Sequence, residues 1–370
     1  MRIDSIDVYL VELPLRRALF GPASGLPTLQ TVLVRLGSGS DAGWGEAAPG
    51  SAPLAYADWS AGTYAALKDW LGPAVVGRDV DSAESLESLL ERFRGHRFAK
   101  AAIDLAWWDL RARREGRPLH RLLGGTRDDF AVGATLDRMD SPEQFLGEVG
   151  RVFEQGYARL KLKFRPGWDV RMLEAVRRDY PAPAIQIDVE GGLHMGHFEM
   201  LCRLDDFMLT MIEQPLARED LVAHAMLQDA VRTPICLDES IETPAQADMA
   251  MDLKSCRYVN LKADRVGGLA AARKIHDICH NACVPCFAGA TPQSSFGARA
   301  AAALATLPNC AESPADFFPA AELLAEDLVE PLVPRRGDDG MLRVALDASV
   351  APEPDPAVLQ RRAIAQATLR

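Results

Sequence analysis

The sequence predicts an α/β protein, made of a (β/α)8 barrel and a smaller α+β capping domain that precedes it. From about residue 130 onward, short apolar runs alternate with helical stretches, which is the pattern of parallel strands that are each followed by a returning helix. The runs are continuously apolar, as expected when both faces of a strand are buried. Eight such units suggest a closed barrel, and the runs lie at residues 132–136, 160–164, 184–189, 209–212, 234–237, 258–261, 284–288 and 310–313.

The region before residue 125 has a different sequence pattern. Segments rich in β-branched and apolar residues predict strands at 3–13 and 29–36. Glycine, proline and small residues predict loops at 19–27 and 44–56. Helical spacing of apolar residues predicts helices at 57–71, 82–95 and 98–115.

The C-terminal tail returns to strand-like text after about residue 322. We therefore expect the tail to rejoin the N-terminal region. The predicted division is a capping domain of residues 1–125 plus 323–370, and a barrel domain of residues 126–322.

The composition is that of a globular protein and excludes several functional classes. Of the 370 residues, 48% are hydrophobic and 25% are charged, which excludes a disordered or collagen-like chain. The net charge of −11 argues against a nucleic-acid-binding surface. No apolar run reaches the ~18 residues of a membrane helix, and residues 1–5 carry an acid where a signal peptide is basic. We expect a cytoplasmic protein with no nucleic-acid or membrane partner. Seven cysteines, an odd number, do not indicate a disulfide framework.

Charged residues stand at the carboxyl ends of five successive predicted strands, where the active sites of such barrels lie. Starting at Lys163, they follow at steps of 25, 25, 25 and 24 residues, one strand–helix unit each. Lys161 lies two residues before Lys163, so both project from the same face of their strand. We expect one mouth of the barrel to collect Lys161, Lys163, Asp188, Glu213, Asp238 and Lys262.

The three acids, Asp188, Glu213 and Asp238, predict a metal site. Oxygen ligands without histidine or cysteine favour a hard cation, Mg²⁺ or Mn²⁺, with coordination positions left for water and substrate. The alternative is that each acid caps the helix that follows its strand. Three acids in phase, flanked by lysines in the same phase, favour the metal site.

The lysines lie on strands at either side of the acid triplet, and this placement predicts acid–base chemistry. A lysine serves as a base when desolvation and nearby cations bring its pKa toward ~7–8. A cation held by the acids would take a substrate carboxylate and stabilise the enediolate that forms when the adjacent carbon loses a proton. The alternative is a salt bridge between each lysine and an acid, which is compatible with a resting state of the same site.

At these residues the sequence resembles the enolase superfamily, in its muconate-lactonizing branch. That branch has a Lys-x-Lys, three metal acids and a lysine on the sixth strand. Segments 101–110 and 118–125 resemble its N-terminal domain. The segments that resemble the o-succinylbenzoate synthase and N-succinylamino acid racemase family most specifically are 161–170, 211–216, 233–241 and 259–268.

The resemblance implies a role for each residue of the mouth. The three acids would be the ligands of Mg²⁺, with Mn²⁺ as an alternative. Lys163 and Lys262 would be the acid–base pair, and Lys161 would hold Lys163 and the substrate carboxylate electrostatically. The substrate would be a small-molecule carboxylate, and the protein would be a homo-oligomer.

The resemblance also implies substrate contacts, in segments that face the substrate in the family. Phe20 and Ser24 lie in an N-terminal loop that closes over the barrel in family members. Gly289, Ala290 and Thr291 stand on strand seven, where the family usually has Gly-Gly-Met-Leu-Glu. These five residues are the predicted substrate contacts.

Departures from the family's usual text leave the substrate open. Glu190 stands where the usual Asp-Ala-Asn has asparagine, and residues 312–318 (ESPADFF) replace a serine-rich Arg-Tyr segment. The leading hypothesis is o-succinylbenzoate synthase chemistry. The alternatives are N-succinylamino acid racemisation, muconate-type cycloisomerisation and a non-catalytic binding protein of the same fold.

Three weaker motifs suggest other sites. The C-x3-C-x2-C motif at 279–286 has the spacing of a radical-SAM iron–sulfur site, but it runs from a late helix into strand seven, so core cysteines are favoured. His194 and His197 follow the first acid and are favoured as loop residues. Residues 266–268 could bind an anion at a helix start, although a tight turn is the favoured interpretation.

Overall fold

The computed structural model describes residues 1–16, 26–139, 141–165 and 167–370. The strands, from β1 to β14 in chain order, are Ser5–Pro14, Thr28–Ser38, Asp41–Ala47, Asp129–Leu136, Arg159–Lys163, Ile185–Asp188, Ile212–Glu213, Ile235–Leu237, Tyr258–Leu261, Cys286–Ala288, Ala315–Asp316, Arg335–Arg336, Leu342–Ala345 and Ala363–Leu369.

The α-helices, from α1 to α15, are Ser60–Ala66, Gly72–Val75, Ala83–Glu91, Arg97–Glu115, Leu119–Leu123, Pro142–Gln155, Val170–Asp179, Phe198–Arg203, Leu221–Ala230, Pro244–Leu253, Ala263–Val266, Leu269–Asn281, Ala298–Ala305, Ala320–Leu323 and Pro356–Arg362. A π-helical segment lies at Leu67–Leu71, and 3₁₀ turns lie at Met195–His197 and Leu204–Phe207. None of the described helices has the length and apolar character needed to cross a membrane.

The N-terminal region is built on a four-stranded antiparallel sheet in the order β14–β1–β2–β3. The loop predicted over 44–56 is wrong for its first residues, which belong to β3. Gly43 and Gly45 explain the error, because a Cβ at either position would lie 2.3 or 2.1 Å from a backbone oxygen of α4. The strand carries glycine so that α4 can pack directly against its backbone. A glycine-rich sequence is also typical of loops, which is why a loop was predicted here.

Parallel strands form the second region. Pairing is continuous from β11 through β4, β5, β6, β7, β8 and β9 to β10, which is the order expected of successive β–α units. The eighth strand was predicted at 310–313, and this is wrong: β11 is formed two residues later and pairs with Val132 and Gly133 of β4. The predicted segment forms turns around the fully buried Cys310. The segment is therefore apolar because it is buried, and not because it forms a strand.

The C-terminal tail divides between the two sheets. Its last strand, β14, pairs with β1 and so completes the N-terminal sheet. Strand β13 instead pairs antiparallel with the first residues of β4, and β12 pairs with β13. Residues 335–345 therefore extend the barrel sheet, which the sequence did not predict.

A buried carboxylate of the N-terminal sheet fastens it to the barrel. Glu46 on β3 accepts hydrogen bonds from the backbone N–H groups of Ser294 at 3.0 Å and Gly297 at 2.9 Å, just before α13. It also accepts hydrogen bonds from the hydroxyls of Ser294 and Thr31. Since Glu46 is only 1% exposed, these donors replace the water that the carboxylate would otherwise need.

A second carboxylate makes a similar contact one helix earlier. Asp104 on α4 accepts a hydrogen bond of 2.6 Å from the N–H of Leu269, in the first turn of α12. Gly268 precedes that turn with a φ of 125°, and a Cβ there would lie 2.4 Å from Asp104 Oδ2. The anion at this helix start, which the sequence suggested for residues 266–268, is thus the protein's own carboxylate.

Candidate active site

The mouth of the barrel opens into a cavity of about 1120 Å³ between the parallel strands and the N-terminal region. The register of adjacent strands sets Lys163 beside Asp188 and Asp188 beside Glu213. Glu213 is fully buried and is not part of the cavity lining. The other five predicted residues of the mouth line the cavity wall, and they are Lys161, Lys163, Asp188, Asp238 and Lys262. The structure therefore brings the predicted constellation together.

Glu213 lies at the centre of this constellation and has no exposed surface. Its carboxylate lies 2.8 Å from Lys161 Nζ. It accepts hydrogen bonds from Gln186 Nε2 at 2.5 Å and from Asn260 Nδ2 at 2.7 Å. A carboxylate this deep is stable only when it is paired and hydrogen-bonded. Its three partners come from three different strands, so the barrel itself fixes the position of Glu213.

Lys161 is enclosed by three carboxylates. Besides Glu213, its Nζ lies 2.5 Å from Asp316 and 3.8 Å from Asp188. The ring of Phe287 lies on another side, with its centroid 5.6 Å from Nζ. Burial lowers the pKa of Lys161, but the three carboxylates raise it by more, so that it lies above its usual value. Lys161 is therefore held as an ammonium, which can stabilise negative charge.

Lys163 lies at the outer end of the same strand and has two acidic partners. Its Nζ donates to Asp188 at 2.7 Å and to Glu190 at 2.6 Å. Burial lowers the pKa of Lys163, but these two carboxylates raise it by more. Burial likewise raises the pKa of Asp188, but Lys163 and Lys161 bring it down to about 2. Lys163 and Asp188 thus form a charged pair in the resting site.

Glu190 is the residue at which the sequence departs from the usual Asp-Ala-Asn. Its φ of 53° lies in the left-handed region, where asparagine and glycine are more usual. The side chain bridges Lys163 and Arg165, with its second oxygen 3.1 Å from the guanidinium. The position is therefore used for charge pairing beside Lys163, at some cost in backbone strain.

Lys262 lies on the far side of the acids. Its Nζ is 2.7 Å from Asp238 Oδ2, and Arg265 contacts the other oxygen of the same carboxylate. Burial lowers the pKa of Arg265 to about 10. Burial also lowers the pKa of Lys262, but the surrounding acidic groups raise it by more. A Cβ on Gly289 would lie 2.7 Å from Lys262 Cε, so glycine at this position leaves room for the lysine.

The resting structure bears on the alternatives of helix capping and salt-bridge formation for these side chains. Helices α9 and α10 are capped by Asp220 and Thr243, whose side chains accept hydrogen bonds from Ala223 N at 2.8 Å and Gln246 N at 3.2 Å. Glu213 and Asp238, on the strands before these helices, are therefore not their caps. Each lysine of the mouth does form a salt bridge with an acid.

The donor chemistry of the mouth fits a hard cation, although the acids do not form a closed ligand set as they stand. Over the described ranges, no group of three or more His, Cys, Asp or Glu side chains converges tightly enough to hold an ion, since each predicted ligand is paired with a lysine. The donors are all carboxylate oxygens, which Mg²⁺ and Mn²⁺ prefer. One further carboxylate oxygen, Glu239 Oε2, is buried at this mouth without a hydrogen-bond partner. A cation among the acids would satisfy it.

The predicted substrate contacts fall in three places. Phe20 and Ser24 lie outside the described residues. Ala290 and Thr291 line the cavity, and the hydroxyl of Thr291 donates to Asp264 at 2.9 Å. Gly289 lies behind Lys262 and makes room for that side chain.

Four charged residues of the site were not predicted from the sequence. Arg159 begins the strand of Lys161, and the two-residue alternation that paired Lys161 with Lys163 also points to it. Asp316, on the displaced eighth strand, lies 2.6 Å from Arg159. Arg265 follows Lys262 by three residues, about one helical turn, and Glu239 is the immediate neighbour of Asp238. Arg159, Arg265 and Glu239 thus had signals in the sequence, whereas Asp316 had none.

The weaker motifs are not part of the site. Cys279 and Cys286 are fully buried in the core and carry free thiols, and Cys283 is exposed. His194 Nδ1 accepts a hydrogen bond of 3.0 Å from the N–H of Gly196, and His194 N–H donates to His197 Nδ1 at 3.3 Å. Cys279 and Cys286 are thus core residues, Cys283 is a surface residue, and the histidines close a local 3₁₀ turn.

Two family models match the chain, one for each region of the fold. The mandelate racemase / muconate lactonizing enzyme N-terminal domain matches residues 9–124. The enolase C-terminal domain-like family matches residues 144–345. The second match alone spans more than half of the chain and contains all six predicted residues of the mouth.

Named relatives and solved structures agree with these matches. The chain is 37% identical to an N-succinylamino acid racemase of Thermus thermophilus over 345 residues, which is 93% of this chain and 92% of the relative. It is 37% identical to an o-succinylbenzoate synthase of Geobacillus stearothermophilus over 302 residues, 82% of this chain and 80% of the relative. A crystal structure of an enolase superfamily member from Listeria innocua is 29% identical and superposes with a TM-score of 0.92, covering 100% of this chain and 99% of that one. These neighbours imply an N-terminal cap on a C-terminal barrel. The chain is therefore an enzyme of the enolase superfamily and belongs to the family of mandelate racemase and muconate lactonizing enzyme.

Proposed function

We propose that this enzyme removes a proton α to the carboxylate of a small acid, through an enediolate, with Mg²⁺ or Mn²⁺ as its cofactor. One observation carries the proposal: Lys163, at the end of β5, and Lys262, directly after β9, flank the acids, and each lies 2.7 Å from a predicted ligand, Asp188 or Asp238. A substrate carboxylate drawn to a cation among these acids would lie between two amines that can exchange protons with it.

In this mechanism the chain's lysines perform the proton chemistry. A divalent cation held by Asp188, Glu213 and Asp238 supplies positive charge where negative charge develops on the substrate carboxylate. Asp188 helps to keep Lys163 protonated in the resting site, so its engagement as a ligand weakens that effect and favours a neutral amine. Lys161 keeps Asp316 as a partner and remains an ammonium beside the substrate carboxylate.

The leading candidate is o-succinylbenzoate synthase chemistry. Lys163 takes the α-proton, Lys262 stabilises the enediolate as an ammonium, and the hydroxyl leaves as water with the proton that Lys163 carries. Support comes from the synthase of Geobacillus stearothermophilus, to which the chain is 37% identical, and from the placement of Lys163 at the cavity wall.

The second candidate is N-succinylamino acid racemisation. It is favoured by the position of the two lysines on opposite sides of the acids, because one can remove the α-proton while the other returns a proton to the opposite face. The 37% identity with the racemase of Thermus thermophilus, over 93% of this chain, supports it equally. Muconate-type cycloisomerisation needs the same groups and stands as a further alternative.

The experiment is an exchange and turnover assay on the purified protein with Mg²⁺. Dehydration of the cyclohexadiene precursor and racemisation of N-succinyl amino acids rank the candidates. Exchange of the substrate's α-proton in D₂O, followed by NMR, tests the shared step. Lys163→Ala should slow exchange by about 10²–10⁴-fold, and Lys274→Ala, at an exposed lysine of α12, should not. Tight binding of these acids without exchange would support the non-catalytic alternative instead.

We further propose that the barrel closes between β10 and β11. The N–H of Cys286, the first residue of β10, donates to the backbone oxygen of Asn309 at 3.1 Å, shortly before β11. The proposed domains are a cap of residues 1–125 plus 323–370 and a barrel of residues 126–322, with residues 335–345 of the tail paired to the barrel.

We also propose a homo-oligomer and substrate contacts at Ala290 and Thr291. The contacts are supported by their place on the cavity wall. Assembly is supported by exposed apolar side chains on the neighbouring helices α9 and α10, namely Val222, Met226, Met249 and Leu253.

A further inference from the structure

Glu239 is a carboxylate at the barrel mouth that the mechanism above does not use. It follows Asp238 at the end of β8 and lines the cavity. The residue as a whole is half-buried, but its Oε2 is closed off from solvent and has no hydrogen-bond partner among the described residues. Buried carboxylate oxygens are almost always paired, so this oxygen requires an explanation.

The lysines of the mouth are all committed to other acids. Lys161 lies against Glu213 and Asp316, Lys163 against Asp188 and Glu190, and Lys262 against Asp238. The free oxygen of Glu239 thus lies beside a set of closed ion pairs. None of these ion pairs includes Glu239.

The strands around Glu239 show where its free oxygen lies. Glu239 lines the same cavity wall as Asp188, Asp238 and Lys262. It follows β8 directly after Asp238, and β8 pairs with β7, which carries Glu213. Its free oxygen is thus buried at the end of the barrel where the three predicted ligands meet.

We propose that Glu239 is a fourth carboxylate of the cation site, with its free oxygen toward the divalent cation, directly or through a water molecule that the cation holds. The proposal rests on the function proposed above, because it uses the same cation. Mg²⁺ takes six oxygen ligands and usually retains water, so three acids and a substrate carboxylate leave a place for such a contact. Outer groups of this kind strengthen metal binding through the ligands they orient.

The competing explanation is that Glu239 serves Lys262. A cation that takes Asp238 would free Lys262 from its partner, and the ammonium could then turn to Glu239. Both explanations predict that a neutral residue at 239 weakens cation binding. They differ in whether that effect depends on the presence of Lys262.

The experiment measures cation binding and needs no substrate. Protein stripped with a chelator is titrated with Mn²⁺, with free Mn²⁺ followed by electron paramagnetic resonance, and with Mg²⁺ by calorimetry. Glu239→Gln should weaken binding by about 10-fold. The matched control is Glu242→Gln, in the same loop, since Glu242 pairs with Arg97 at 2.8 Å; it should bind like the parent. Equal affinity of Glu239→Gln and the parent overturns the proposal.

A double-mutant cycle separates the two explanations. In a Lys262→Met background, the loss caused by Glu239→Gln should persist at about 10-fold. If the loss disappears in that background, Glu239 acts through Lys262 and the proposal is wrong. Glu239→Asp, which keeps the charge but shortens the side chain, should lose less than Glu239→Gln.

Two controls separate a loss of cation binding at residue 239 from other causes: the unfolding temperature of the variant, and cation binding by the parent protein. Glu239→Gln removes an unpaired buried charge, so its unfolding temperature without metal should not be lower than that of the parent. A parent protein that binds neither Mn²⁺ nor Mg²⁺ would overturn the cofactor and with it the function proposed above. Parent binding that Glu239→Gln leaves intact overturns this inference alone.

Discussion

The molecule holds two sets of buried carboxylates in opposite ways. At the barrel mouth, Asp188 and Asp316 lie against lysine and arginine side chains; burial raises their pKa, but these cations outweigh it and bring it below the usual value. Where the N-terminal region meets the barrel, Glu46 and Asp104 accept hydrogen bonds from backbone N–H groups. There burial prevails, and the pKa of both rises, to about 7 for Asp104.

The difference indicates which carboxylates serve function and which serve stability. An acid paired with a lysine side chain can exchange that partner for a cation, because the lysine has rotamers to move through and a second acid to meet, as Lys163 has Glu190. An acid held by backbone N–H groups has no such freedom, because its donors belong to a helix start that cannot move without unfolding. Mutations at the barrel mouth should therefore change activity. Mutations at the junction of the N-terminal region with the barrel, where Glu46 and Asp104 lie, should change stability.

The largest expected effect is at the mouth. Lys262→Met should slow α-proton exchange by about 10²–10⁴-fold. The free energy of unfolding should change by less than about 1 kcal/mol, because Asp238 keeps Arg265 as a partner. Exchange measured by NMR and unfolding measured in urea provide the two numbers. If the variant lost most of its stability, the lysines of the mouth would be needed for the fold, and the distinction between functional and stabilising carboxylates would be contradicted.

The next effect is at the junction. Glu46→Ala leaves the N–H of Ser294 buried without an acceptor and leaves the N–H of Gly297 only its 3.4 Å contact with Ser294 Oγ. It should lower the free energy of unfolding by about 3–5 kcal/mol. Glu46→Gln, which keeps one acceptor oxygen, should lose less. Urea unfolding measures both, and kcat of the folded fraction should stay near that of the parent. Loss of kcat without loss of stability would place Glu46 in the active site instead.

The junction also predicts a dependence on pH. The pKa of Asp104 rises from its ordinary 3.8 to about 7 on folding, chiefly through burial, so the folded state binds this proton more tightly than the unfolded state. The contribution of Asp104 to stability is therefore complete below pH 4 and is lost as the pH rises through 7. The slope should be about 1 kcal/mol per pH unit. Between pH 5 and 8, the free energy of unfolding measured in urea should vary less with pH for Asp104→Asn than for the parent. Parallel curves for the two proteins would contradict the assignment.

Regular spacing made much of the site predictable. The strand-end acids and lysines recur once in each β–α unit, so the sequence alone placed them at one mouth. Residues that depend on contacts between distant segments were out of reach. Asp316 joins the site only because β11 pairs with β4. The sequence shows that Glu239 adjoins Asp238, but only the structure shows that its Oε2 lacks a partner. Gly43 and Gly45 misled for the same reason, since the helix that requires them lies some 60 residues further along the chain.

The smallest expected effect tests whether burial, and not position between the two regions, gives the junction its strength. Glu87 on α3 and Lys274 on α12 form an ion pair that crosses the same boundary as Glu46, but their side chains are 43% and 45% exposed. Water solvates both charges whether or not they meet, so Glu87→Gln should cost about 0–1 kcal/mol, and high salt should remove even that. Urea unfolding of Glu87→Gln beside Glu46→Ala makes the comparison direct. If the two variants lost equal stability, crossing the boundary would matter more than burial, and the contrast between the two sets of carboxylates would have to be drawn from their location alone.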